Sequence, residues 1–144
     1  MNTVKKLESA IVELLKDDET YHIGAAWDEE AMKTFWAEDG AVIVQVTGIT
    51  PAHADNPNLP DFRAGIAVRG RTSMETDKDK AKIDRIASLV ARKVAALTSA
   101  ALSAATGATV AAWLAGGMTR AVLDDGHHFE IKQTMILLDL QFEG

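Results

Sequence analysis

At 144 residues, with 47% apolar and 25% charged side chains, the chain has the size and composition of one globular domain, far from those of disordered sequences. A net charge of −6 argues against a protein whose main work is non-specific nucleic-acid binding, which needs many phosphate-neutralising cations. The lack of cysteine excludes disulfides, thiolate nucleophiles and Cys-ligated zinc or iron–sulfur sites.

The first residues carry Lys5 and Lys6 but pass into an amphipathic pattern instead of an apolar signal core, so secretion by that route is not expected. Val4, Leu7, Ile11, Leu14 and Leu15 recur at three- and four-residue spacing, which predicts a helix with one buried stripe. Lys5, Lys6, Glu8, Glu13 and Lys16 are placed on its other side. Between Tyr21 and Trp36 the pattern is mixed: a short helix capped by Asp28, with Ala31, Met32, Phe35 and Trp36 as its apolar side, fits best. The two tryptophans there are read as core or interface anchors before a ligand platform.

A turn at Glu38–Gly40 leads to Ala41–Thr47, rich in β-branched residues and read as a central strand. Pro51, Pro57 and Pro60 make residues 51–60 a projecting loop. In the following strand, Phe62 to Thr72, the alternation puts Phe62, Ala64, Ile66 and Val68 on a core face and Arg63, Arg69 and Arg71 on the opposite face. Thr76 or Asp77 then caps a helix carried by Ile83, Ile86, Ala87, Val90, Val94 and Leu97.

No charge occurs between Lys93 and Arg120, but Ala, Ser, Thr and Gly dominate that stretch, and they drive membrane insertion weakly. A helix ending near Thr106–Gly107 and a shorter one through Trp113 are expected instead, with no membrane span. Met118 to Leu123 reads as a strand, Asp124 to His128 as a hairpin turn, and Phe129 to Phe142 as a closing strand with Thr134, Ile136, Leu138, Leu140 and Phe142 on one face. The sum is a single α+β domain over residues 1–144: a mainly antiparallel sheet of about four strands with helices packed on one face.

Candidate chemistry is sparse. His127 and His128 beside Asp124 and Asp125 resemble metal ligands, yet adjacent strand residues point to opposite faces, and a polar turn is the plainer reading. Asp77, Asp79 and Asp84 are better explained by capping and solvation than by calcium binding. Ser9, Ser73, Ser88, Ser99 and Ser103 lack a nucleophile-elbow context, and there is no P-loop or dinucleotide glycine motif. No catalytic residue, metal ligand or cofactor is assigned. The arginine face is the most suggestive polar set, because arginine forks pair with carboxylates at interfaces, and the rest of so acidic a chain supplies carboxylates for a neighbouring copy.

This order of elements resembles the tail terminator (tail completion) proteins of long-tailed bacteriophages. The likeness lies in the N-terminal helix through Leu15, the strand Ala41 to Thr47, the Asn56–Asn58 loop, the strand Phe62 to Thr72, the Asp77–Asp79 helix start and the final strand from Thr134. The alanine-rich segment from Ala95 to Ala115 departs from that pattern. The resemblance implies a non-enzymatic virion protein of the tail or neck, assembled in the host cytoplasm. It would form a ring, often hexameric, that stops tube growth and offers a head-joining surface. Its partners would be copies of itself, the tail tube protein and head–tail connector proteins, with no sequence-specific nucleic-acid binding. On that footing His53, Asp55, Asn56, Asn58, Asp61, Arg63, Arg69 and Arg71 are the candidate subunit or partner contacts. The alternatives are another neck, connector or minor tail protein and, from a different class, a small metal- or ligand-binding enzyme using the His127–His128 turn.

Overall fold

The computed structural model describes residues 3–17, 19–37, 39–52, 61–122 and 125–141. Along them run α1 (Thr3–Leu15), β1 (His22–Ala25), α2 (Glu29–Ala37), β2 (Ala41–Pro51), β3 (Phe62–Ser73), α3 (Ala81–Ala95), α4 (Ser99–Thr106), β4 (Thr109–Val122) and β5 (His128–Gln141). The strands form a 5-stranded sheet in the order β1-β2-β3-β5-β4. Only the β1–β2 pair is parallel. The α+β architecture is therefore as expected, with one strand more: β1, hidden in the mixed stretch after Tyr21, is only 4 residues long and carries little periodic signal.

The main core lies on one sheet face. Leu7, Ile11 and Leu15 of α1, Ile83, Ile86, Val90 and Val94 of α3, and Leu102 of α4 pack with Val42, Val44, Ile66, Val68, Ile131, Met135 and Leu137. Each such side chain contributes about 1.5–3 kcal/mol when fully buried. A smaller cluster occupies the opposite face, where Phe35 of α2 packs against Ala41 and Ile43. Helices therefore cover both faces and not one, because β2 is apolar at consecutive positions 41–44 and buries both sides.

Helix α3 does not run on through Leu97. It ends at Ala95, and α4 restarts behind Thr98, whose Oγ1 accepts from the Ala101 N–H at 3.1 Å. The two helices meet at a 94° bend, and among the described residues no single helix is long and apolar enough to cross a membrane. Gly107, at φ 71°, closes α4 in the left-handed conformation that suits glycine.

The helix expected through Trp113 is absent, since Thr109 to Val122 is one continuous strand. Alanine's helix preference amounts to tenths of a kcal/mol per residue, and the ladder with β5 from Thr109↔Gln141 to Val122↔Phe129 overrides it.

The face assignment in β5 also changes. Phe129, Ile131, Met135 and Leu137 are buried, whereas Ile136 is 43% exposed. Asp139, at φ 48°, and a register shift against β3 then switch the parity, so that Leu140 returns to the core. From Met135 to Leu138 every residue is apolar, so period-two alternation could not choose between the faces there.

Buried acids hold the elements together. Glu8, placed by its sequence on the solvent side of α1, is 2% exposed. Its two carboxylate oxygens accept from the Trp27 and Val46 backbone N–H groups, each at 2.8 Å. Asp77 caps α3 from a distance: it accepts from the Lys82 and Ile83 N–H groups and from Thr72 Oγ1, all at 2.9 Å. The capping role expected of Asp77 is met, although Lys80 at φ 64° is the residue that enters the helix.

Candidate interaction surface

Helix α2 covers only the β1–β2–β3 corner of the second sheet face. It starts with Asp28, whose Oδ1 accepts from the Glu30 N–H at 3.0 Å, the cap expected from sequence. It is held down by Arg71, a β3 residue only 2% exposed. The Arg71 guanidinium donates to the Trp36 carbonyl and stacks 4.6 Å from the Trp36 ring centre and 5.3 Å from that of Phe35. Burial lowers the Arg71 pKa, opposed chiefly by the charges of Asp125 and Glu130.

Beyond α2 none of the described residues covers the face. Gln45 and Thr47 of β2, Arg69 of β3, Thr119 of β4 and Glu130 and Lys132 of β5 line a shallow depression of about 310 Å³. It continues past Lys132 into a more apolar hollow of about 540 Å³ bordered by Thr134, Leu114 and Ile136. The polar row arises because β3 and β5 send alternate residues to this side, pairing Arg69 with Lys132 and Arg71 with Glu130 in register. Arg69 Nε donates to the Glu130 carboxylate from the adjacent register position. Lys132 and Arg63 are exposed on the same face.

The arginine set singled out by alternation is therefore split by the fold. All three lie opposite the main core, but Arg71 is an internal clamp for α2, Arg69 is half-buried against Glu130, and Arg63 is exposed opposite Thr50. Asp61 accepts from Gln141 Nε2 at 2.6 Å, and its carbonyl from the Ala52 N–H at 2.9 Å, joining the base of the loop to β5. His53, Asp55, Asn56 and Asn58 lie outside the described residues. Lys132 escaped the sequence reading because Gln133, a polar residue at a buried position, breaks the alternation beside it. Its register opposite Arg69 is what makes it part of the same row.

The hairpin turn behaves as Asp–Gly turns do, with Gly126 at φ 71°. Asp125 Oδ1 accepts from the His127 N–H at 2.8 Å, and Oδ2 lies 2.7 Å from His128 Nδ1. The His127 N–H, more than either histidine's charge, holds the exposed Asp125 carboxyl below its usual value. Among the described residues no three His, Asp or Glu side chains group as metal ligands, and Asp124 lies outside them.

The chain matches no protein-family model and no curated protein.

Proposed function

We propose that this chain is a structural assembly protein of a phage virion, a tail terminator that closes into a hexameric ring on the end of the tail tube. The observation that carries the reading is the half-covered sheet. Next to α2 it leaves a shallow face with Arg63, Arg69 and Lys132, in a chain whose net charge is −6. Exposed carboxylates such as Glu29 of α2 and Glu19, between α1 and β1, lie elsewhere. The exposed cations of this patch, where Glu130 is already paired with Arg69, and exposed acids elsewhere favour head-to-tail contacts, and such contacts close into rings when the rotation between neighbours allows it. The resemblance in element order to tail terminators supplies the specific assembly.

The mechanism is geometric. Each contact of a stable ring buries on the order of 800 Å² per partner. The remaining rim blocks further tube subunits and offers connectors a docking surface. Native mass measurement of the full chain tests the self-association, with the double reversal Arg63→Glu and Lys132→Glu as its probe. A lower assembly state is expected for the variant, and an unchanged mass removes this face from the subunit contact.

A further inference from the structure

The two edges of the sheet are unlike. The β1 edge is 4 residues long and lies against α1 and α2. Where β1 stops, the Val46 N–H that would otherwise look for a strand partner donates to buried Glu8. That edge is short and flanked by helices. At the other edge, β4 runs for 14 residues. Ser103 Oγ accepts from the Val110 N–H at 2.9 Å and contacts its carbonyl at 3.4 Å, so α4 covers the beginning.

The rest of β4 faces outward, its backbone without a partner among the described residues. Met74 N–H donates to the His127 carbonyl at 2.8 Å, which fixes the phase of the β3–β5 ladder. By antiparallel alternation, residues 130, 132 and 136 then turn their backbones to β4 and meet Ala121, Thr119 and Leu114. The N–H and C=O groups of Trp113, Ala115, Met118, Arg120 and Val122 point away from the sheet. Long edges of this kind are ordinarily protected by charges or proline. The one charged residue in β4 is Arg120, and its guanidinium is drawn back to Asp84 Oδ1 at 2.6 Å. Leu114 and Val122, 59% and 52% exposed, add apolar surface at the same edge.

We propose that β4 is a strand-pairing edge for a second copy of this chain, the two β4 strands running antiparallel across a two-fold axis. The occupant follows from the edges themselves. Head-to-tail sheet extension would have to use the short, helix-flanked β1 edge, whereas a second β4 offers a ladder of equal length. Charge agrees, because two copies of a chain carrying −6 repel over most of their surfaces but not along this strand, which has no acid and whose one cation, Arg120, is paired with Asp84. A two-fold contact closes at two copies, so it is separate from contacts that run around a ring.

Amide exchange and solution mass on the full-length chain test the proposal. The outward amides of Ala115, Met118 and Val122 should become protected by at least about tenfold as concentration rises, with a particle of twice the 15.5 kDa chain mass or an even multiple of it. Ala115→Pro removes one outward N–H, and the double variant Leu114→Lys with Val122→Lys sets like charges across the axis. Either should halve the particle mass, and if the proline variant fails to fold, the lysine pair decides. A wild-type chain that is strictly monomeric, outward amides that exchange freely at every concentration, or a lysine variant of unchanged mass would overturn the proposal. The Arg63 and Lys132 reversals act on another face, so their outcome judges the ring reading independently.

Discussion

Arg71 and Trp36 form the joint between helix α2 and the sheet: the guanidinium lies 4.6 Å from the indole ring centre and donates to the Trp36 main-chain carbonyl. A cation from β3 thus holds the last turn of α2, where the helix dipole is negative and carbonyls lack intrahelical partners. Replacing Arg71 with alanine removes a buried charge-assisted hydrogen bond and a cation–π contact, together worth about 2–4 kcal/mol. The expected result is a lower urea midpoint and a changed Trp36 fluorescence. An Arg71→Lys variant should recover little of the loss, because lysine lacks the planar fork.

Glu8 should be as sensitive, for a different reason. Its carboxylate is the acceptor for the Trp27 and Val46 N–H groups, and Glu8→Ala leaves both donors without it in a buried setting. The expected cost is about 2–4 kcal/mol in denaturant unfolding. Glu13→Ala on the exposed side of the same helix should stay within about 0.5 kcal/mol.

Two groups set opposite pH limits. The Tyr21 hydroxyl donates to the Leu15 carbonyl, and burial, then the charge of Asp17, pushes its pKa from 10.0 up to about 12. The fold favours the neutral phenol, so this contribution is complete below pH 10.0 and is lost as pH rises through about 12. Tyr21→Phe should flatten that alkaline loss in thermal melts.

Asp39 acts at the acid end. Although burial works to raise its carboxyl, hydrogen bonds from Thr76, the Ser73 N–H and Lys82 outweigh it and hold the pKa below 3.8. Its contribution is present above pH 3.8 and is lost as pH falls through the lower folded value. Asp39→Asn should remove that acid-limb dependence in the same melts.

The histidines of the turn make a contrasting case. His128 pairs locally with Asp125, and His127 is exposed, so the double variant His127→Ala and His128→Ala should leave solution mass unchanged. Stoichiometric metal in the wild-type protein that this variant loses would favour the enzyme alternative.

Much of the fold was legible in the chain. The stripe of α3, the apolar run of β2 and the alternation of β3 each reflect one dominant burial direction, which periodicity reports directly. What escaped depended on partners distant in sequence. Alanine-rich β4 is a strand because β5 is beside it, and β5 changes parity because Asp139 takes a left-handed conformation. Glu8 lies adjacent to Leu7 and one turn before Ile11, a position the stripe already marks as inward, but its polarity suggested solvent. The site was legible only as a row of arginines. Whether each is clamp, ion pair or exposed cation depends on where α2 and Glu130 fall.

The proposed ring is open to inspection by electron microscopy of the purified chain at high concentration. Closed particles with six-fold symmetry around a central opening are expected, and they should be lost in the Arg63→Glu, Lys132→Glu variant. A wild-type chain that gives only monomers or two-fold dimers, with no closed ring at any concentration, would contradict the account.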